Sequence, residues 1–480
     1  MTDGGGTTAD RWWRRATSAA DRHDRRRRAA RREAGGDAWP RAADPGPVAS
    51  AAAAAKLVLI GVGGVAGAPL VGWTAARNNR TLTELAWRYP DLVADVLAGR
   101  ASGPPFERVG RAPAAARYVI TSDLHRGPAG ATDWPGLQDV TRLYLAMLDW
   151  YGDRGWGLVE DGDVEDFWMV GGSTYGVVYE LARWVGHARR SPAGRRFLRA
   201  VHGEHLRRIV DHNAEVYDRI ETRFHRHERY HRIVGNHDDA YLDEGVVDLL
   251  RQVHPGLEVL DALVLEGSDG GVGLVTHGHH TDPWNAPGRS GLGKLGTWLG
   301  STVADAPFTS ANPGLPTAAQ TRRLLDGAHT SVLTEVSTVF GANRELYSMD
   351  EVILHDAWRE RFGPGGPWLV LGHTHLPLVA PVDPRGRRSW DRYLNAGCGV
   401  FDGMVTAVEW DGVGGVAGGD ADVALVAWHW ADDTTPDGAV VAEIDGRPVA
   451  RRRLRRTPGG GHVAHHGADD HVEASAVPPR

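Results

Sequence analysis

The chain has a single cysteine, Cys398. That excludes an intramolecular disulfide framework and any metal site built from several thiolates. It also lacks an excess of basic charge, with 54 Lys and Arg against 61 Asp and Glu for a net charge of −7 at pH 7. A surface that tracks phosphate backbones would be basic, so nucleic acid is disfavoured as a partner. The first 55 residues lack any sustained apolar period and are rich in Arg, Ala and Gly, with a basic run from Arg25 to Arg28. Residues 1–55 are therefore expected to be a disordered basic tail. Residues 457–480 are rich in Gly and His without a core pattern; they read as a second disordered tail, whose histidines would bind metal only weakly. No internal repeat runs through the sequence.

At 480 residues the chain can bury a large core, and length alone allows two or three domains. Residues 56–77 form an apolar segment, uncharged from Leu57 to Ala76. It is just long enough to span a bilayer, and its basic flank would keep the N-terminus inside. Glycines between Gly61 and Gly67 make poor helix material, so a buried or loosely packed segment stays open beside a membrane anchor. A cleaved signal peptide fits less well, because the apolar stretch starts so late. Residues 78–115 read as a lead-in helix, interrupted by Pro90, and a linker. From 116 to 456 the pattern is that of one α/β domain with helical insertions at about 175–229 and 284–362; the second leaves one motif and returns to another and is placed to act as a cap. Val405–Trp410, Val423–Trp430 and Ala439–Leu454 alternate like antiparallel strands.

Five short strings within the domain carry its chemistry: Asp123-Leu124-His125, Gly162-Asp163-Val164-Glu165-Asp166, Gly235-Asn236-His237-Asp238, His277-Gly278-His279 and Gly372-His373-Thr374-His375. Each follows an apolar run that reads as a buried strand, so strands in packed sheets would gather the strings at one rim. Imidazole nitrogen mixed with carboxylate and amide oxygen suits manganese, iron or zinc, whereas calcium would want oxygen alone. Asp163, directly behind a glycine at a strand end, is the natural bridge between two ions. A pair of ions about 3.5–4 Å apart can clamp a phosphate and activate water. The expected reaction is hydrolysis of a phosphate ester or anhydride.

In order, residue types and strand context these strings resemble the five signature blocks of the calcineurin-like metallophosphoesterase superfamily, over roughly residues 116–410. The resemblance implies a four-layer αββα sandwich of two mixed β-sheets flanked by helices. It implies two divalent cations, manganese first, with iron, zinc or magnesium as alternatives. Asp123, His125, Asp163 and His375 would hold the first, and Asp163, Asn236, His277 and His373 the second. His279 is the fallback if His277 points away. His237 would be a phosphate donor or general acid, with Asp238 orienting its ring. Asn395-Ala396-Gly397-Cys398 resembles the Asn-Pro-Gly-Ser turn that often follows the last block.

Other readings remain open from residues alone. Arg126 would contact phosphate or, more ordinarily, sit in a salt bridge; His279, His280 and His355 favour structural roles; Trp168, Trp284 and Trp298 would line a stacking subsite or simply pack the cap. Gly162–Trp168 resembles the Gly-Asp-x-x-Glu-x-Trp string of the pyrophosphatases that cleave nucleotide diphosphate lipids, but His237 stands where those enzymes carry Arg. Serine/threonine protein phosphatases are disfavoured by the missing Arg-Gly extension and block-three Glu. The expected partner is a phosphorylated small-molecule or lipid-linked substrate; a nuclease of the same superfamily and a non-catalytic metal-binding scaffold are the alternatives. A cytoplasmic location is expected, with membrane association through 57–76 left open.

Overall fold

A computed structural model describes residues 84–413 and 421–456 apart from short breaks and most of 283–348 and 380–391, together with parts of 11–26 and with 462–464. Two mixed sheets face each other. The first has the order β1 (Val109–Pro113), β6 (Ala262–Gly267), β7 (Gly270–Val275), β8 (Trp368–Leu371), β10 (Tyr393–Asn395), β9 (Leu378–Val379). The second has the parallel run β2 (Arg117–Thr121), β3 (Gly157–Asp161), β4 (Tyr230–Ile233) and β5 (Val259–Leu260). Antiparallel to β2 lies β11 (Met404–Asp411), followed outward by β12 (Asp422–Trp430), β14 (Arg447–Arg456) and β13 (Val440–Ile444), with β15 (His462–Ala464) also pairing β14.

The strand sequences explain the layering. Successive side chains of a strand point to opposite faces, so a strand apolar on both must be covered twice. Tyr118, Ile120, Val159 and Ile233 meet Leu263, Leu265, Val275, Val370 and Leu394 of the other sheet, which makes the inner core. Val119 and Leu158 face outward onto α4 (Thr141–Asp153) and α7 (Ala214–Arg223), through Leu143, Met147 and Ile220. On the far side, Val264, Leu274 and Leu369 pack under Tyr89 and Val93 of the helix 84–97 and Leu354 and Trp358 of the helix Met349–Phe362. The result is the expected α/β sandwich of helix, sheet, sheet and helix.

Several boundaries differ from expectation. The helix 84–97 runs through Pro90 without a break, held by its packing on the sheet. The linker that follows contains β1, paired in parallel with β6, so this lead-in belongs to the sandwich. The first insertion is three helices, α5 (Thr174–Ala188), α6 (Pro192–His212) and α7; Ser191 caps α6 by accepting from Gly194 N, and Pro192 sits where no backbone donor is needed. Of the second insertion, Met349–Phe362 forms part of the outer layer rather than a cap. Residues 439–454 fold into a hairpin, because Asp445 and Gly446 both adopt left-handed backbone and close a tight turn. Within the stretch expected to be a disordered tail, residues 11–19 are helical, and Trp13 is buried against Tyr175 and Tyr179 of α5; one large aromatic outweighs the basic composition around it. The strand β15 likewise lies inside the stretch read as a C-terminal tail. No helix among the described residues is long and apolar enough to cross a membrane, and 57–76 lies outside those residues, as do Trp284, Trp298 and the side chain of His355.

Beneath the ends of β2, β3 and β4 lies a buried ionic network. Arg232 pairs with Glu160 at 2.9 Å, with Glu165 and with Asp238 at 3.2 Å. Arg126 pairs with Glu160 at 2.5 Å and lies over the rings of Tyr144 and Tyr217, which settles it as a salt-bridged residue. The hydroxyls of Tyr144 and Tyr230 donate to Glu160, and those of Tyr217 and Tyr241 to Glu165. Between them the arginines and hydroxyls occupy all four oxygens of these two glutamates; burial would raise the Glu160 carboxyl, but Arg126 and Arg232 bring it down to about 2. Removing one partner of such a set leaves its carboxylates buried and uncompensated. Arg232→Met should lower stability by about 3–5 kcal/mol in urea unfolding; a loss under about 1 kcal/mol would show that the network is not a brace.

Candidate metal centre

The five strings lie where β2, β3, β4, β7 and β8 end, and the two sheets bring them together. The described residues contain three groups of side chains able to hold an ion: Asp123, His125 and His375; His125, Asp163 and His237; and Asp163, His277 and His373. Asp163 belongs to two of them. Its Oδ2 lies 3.2 Å from His277 Nε2 and 4.0 Å from His125 Nε2, the position of a bridge.

Backbone geometry at these residues is strained in a shared way. Nine non-glycine residues adopt positive φ among the described residues, and five of them are Asp123, His125, Asp163, His373 and His375. Left-handed backbone costs an L-residue roughly 1–3 kcal/mol and persists where surrounding structure enforces it. Close approach explains the glycines as well. A Cβ on Gly235 would overlap Asp163, and one on Gly372 would overlap Ser122 and approach Asp123.

Three of the imidazoles are oriented by a bond to one nitrogen that leaves the other for an ion. His277 Nδ1 donates to the Asp161 carbonyl at 2.8 Å, and His125 Nδ1 to Asp166 Oδ2 at 3.0 Å. His373 uses Nε2 against Asp282 Oδ2 at 2.7 Å, which assigns ligation to its Nδ1. Such outer partners fix tautomer and direction. Asp123 is held through Oδ2 by the Ser122 hydroxyl and the His373 N–H, and its Oδ1 turns towards His375 Nε2 at 3.1 Å.

What remains after this accounting is telling. Asp123 Oδ1, Asn236 Oδ1 and His277 Nε2 are buried without a hydrogen-bond partner. His125 Nε2 and His375 Nε2 face each other at 3.1 Å. Orphaned buried polar atoms are rare because each costs free energy. Cations bound in the groups at Asp123 and at Asp163 would satisfy the Asp123, His125, His277 and His375 atoms, so the donor set fits the group expected of it. Asp123 and Asp163 are also held as carboxylates: burial would raise both, but His277 first, with His375 or His237, brings them below the usual range.

The structure therefore brings Asp123, His125, Asp163, His277, His373 and His375 together, with Asn236 on the same loop as His237. His279 joins none of the three groups, and its ring lies 5.4 Å from that of His277. His279 and His280 are buried beside the site, with burial lowering both.

One assignment is corrected. Asp238 does not touch the His237 ring. It accepts from the N–H of Gly235 and Val164 and from Arg232, and so joins the third string to the second. Asp166 holds the ring instead, at 2.9 Å from Nδ1. The same Oδ2 takes His125 Nδ1, while Oδ1 accepts from Trp168 N and Met169 N. Burial disfavours charge on His237, but Asp166 and then Asp163 outweigh it and raise the imidazole to about 9; a cation bound at Asp163 would draw on that carboxylate and lower it. Trp168 stacks on this ring with centroids 4.5 Å apart and donates from Nε1 to Asp239, so it packs against His237. The signal for Asp166 was present in the acidic Asp-x-x-Asp spacing of its own string. Asp161 was missed as well: it orients His277 through its carbonyl, and burial pushes its unpartnered carboxyl well above the ordinary range. Asn395 braces the fifth string by donating to the Gly372 carbonyl and Thr374 Oγ1.

No protein-family model and no curated protein matches the chain. Adding manganese to chelator-treated protein should raise the unfolding midpoint, by about 2.7 kcal/mol of stability at a hundredfold excess over Kd. Asp163→Ala should abolish that rise, and Gly235→Ala should diminish it by displacing Asp163; a rise unchanged in both would place the ion elsewhere.

Proposed function

We propose that this chain is a metal-dependent phosphoesterase of the calcineurin-like kind, acting on a phosphate ester or diphosphate bond. The observation that supports it most is that Asp163 is shared by two of the ion-binding groups, while Asp123 Oδ1 and His277 Nε2 of these groups, and Asn236 Oδ1 on the loop before His237, are buried without a hydrogen bond. Manganese suits this nitrogen and oxygen donor set best among the ordinary divalent ions, with iron, zinc and magnesium as alternatives. Two such ions, when bound, would neutralise phosphate charge and lower the pKa of water.

The protein's own part centres on His237. Its side chain is 14% exposed, close to the 12% and 13% of His373 and His375, so it lies with them on the open side of the site, above the buried Asp123, His125, Asp163 and His277. Asp166 holds Nδ1, and Asp163 Oδ1 accepts from the His237 backbone N–H at 2.7 Å, which leaves Nε2 to face a substrate. From there it would donate a proton to the leaving oxygen as the P–O bond breaks. Asp166 positions the ring and stabilises its protonated form. The acidic overall charge supports a small or lipid-linked phosphate over a nucleic acid, and the full ligand set supports an enzyme over a scaffold.

Turnover of aryl phosphate, bis-aryl phosphate and nucleotide diphosphate substrates with manganese tests this reading. Asp163→Ala should lose manganese-stimulated turnover. His237→Ala should lower kcat by about 10²–10⁴ while retaining metal, and Asp166→Asn by about 10–100-fold. A metal-loaded protein that cleaves none of the three classes would overturn the assignment.

A further inference from the structure

Asp166 carries two rings on one atom, since its Oδ2 takes Nδ1 of both His125 and His237. A carboxylate can aim two rings only if its own backbone is fixed. The N–H groups of the Asp166–Phe167 segment are fixed by the neighbouring loops: Asp166 N donates to the Arg126 carbonyl and Phe167 N to the His237 carbonyl, each at 3.0 Å. The carbonyls are placed differently. Both residues are fully buried, and among the described residues neither carbonyl accepts from a backbone N–H. Without side-chain donors, two buried acceptors would be orphaned beside the site.

The inserted helices supply those donors. His205 of α6 reaches the Asp166 carbonyl through Nε2 at 3.2 Å; a carbonyl only accepts, so Nε2 carries the proton. Nδ1 is then the acceptor that faces the Tyr175 hydroxyl at 3.4 Å. Burial lowers the His205 imidazole to about 3, so this neutral form persists across the neutral range. From α5, Arg183 and Tyr179 donate to the Phe167 carbonyl at 2.8 and 3.3 Å. Tyr179 has one proton to give, and His202 Nδ1, 3.1 Å from the same hydroxyl, donates to it in turn. The His205 ring stacks on Tyr179 with centroids 4.0 Å apart, and Tyr179 packs with Trp13.

We infer that His205, with Arg183 and Tyr179 beside it, is a positioning residue of the metal centre: it holds the Asp166–Phe167 carbonyls so that Asp166 Oδ2 aims His237 and His125. Its effect on turnover rests on the phosphoesterase reading of His237. Its effect on ion binding rests only on the group that contains His125. The helices α5 and α6 lie outside the sandwich, yet through these three bonds they belong to the working site.

His205→Leu in the full chain removes the donor and keeps an apolar side chain in its place. On aryl phosphate, bis-aryl phosphate or nucleotide diphosphate, whichever wild type turns over, it should lower kcat about threefold to tenfold with KM unchanged. Manganese binding should weaken by a similar factor. His205→Gln, whose amide N–H can reach the same carbonyl, should restore most of both. In an Asp166→Asn background His205→Leu should cost nothing further, because the two residues act in series. If His205→Leu does not fold, Arg183→Met with Tyr179→Phe, which frees the Phe167 carbonyl instead, is measured in the same way. A role in packing alone would lower the unfolding midpoint but leave kcat and manganese affinity at wild-type values in the folded protein, and that result overturns the inference. So does full additivity with Asp166→Asn. Wild type that binds manganese but cleaves none of the substrates removes the phosphoesterase reading alone; manganese affinity then decides, unchanged in His205→Leu against the inference and weakened in its favour. Wild type that binds no manganese overturns both.

Discussion

The structure turns on the burial of negative charge. Asp123, Glu160, Asp161, Asp163, Glu165, Asp166 and Asp238 are all buried at the strand ends, and of the described residues Arg126 and Arg232 alone pair with them as buried permanent cations. Carboxylates cannot be gathered in a low-dielectric interior without compensation. The fold divides the problem. Below, two arginines and four tyrosine hydroxyls serve Glu160 and Glu165; above, imidazoles and a place for cations serve Asp123 and Asp163. Asp161 meets the constraint differently, by burial that favours its neutral form.

Asp238 and Asp166 tie these two levels together. Asp238 reaches down to Arg232 and across to Val164, while Asp166 reaches two imidazoles at once. Loops that carry chemistry are usually the least ordered part of a domain. Here the loops are stitched to each other through carboxylates, so the catalytic candidates rest on the same charges that make the site electrostatically demanding.

Much of this was legible in the sequence because its causes are local. An apolar run, then in four of the five strings a glycine beside a ligand-type residue, encodes a strand end and a close approach in a few positions, and all five strings fall at strand ends. The αββα layering was an implication of the resemblance the strings carry, and the strands apolar on both faces account for it. What could not be read depended on side chains meeting across the fold. The resemblance credited Asp238 with the His237 ring, but a neighbour in the chain often points the other way; Asp166, seventy-one positions distant from His237, makes the contact. Trp13 hid within arginines and alanines, since composition over fifty residues dilutes one anchoring indole. The turn at Asp445-Gly446 was locally written and overlooked, as the alternation on either side reads as one long strand.

That buried indole also bears on how the chain is threaded. Residues 11–19 are fastened to α5, and residues 84–97 to the first sheet, so both ends of the stretch between them belong to the same folded body.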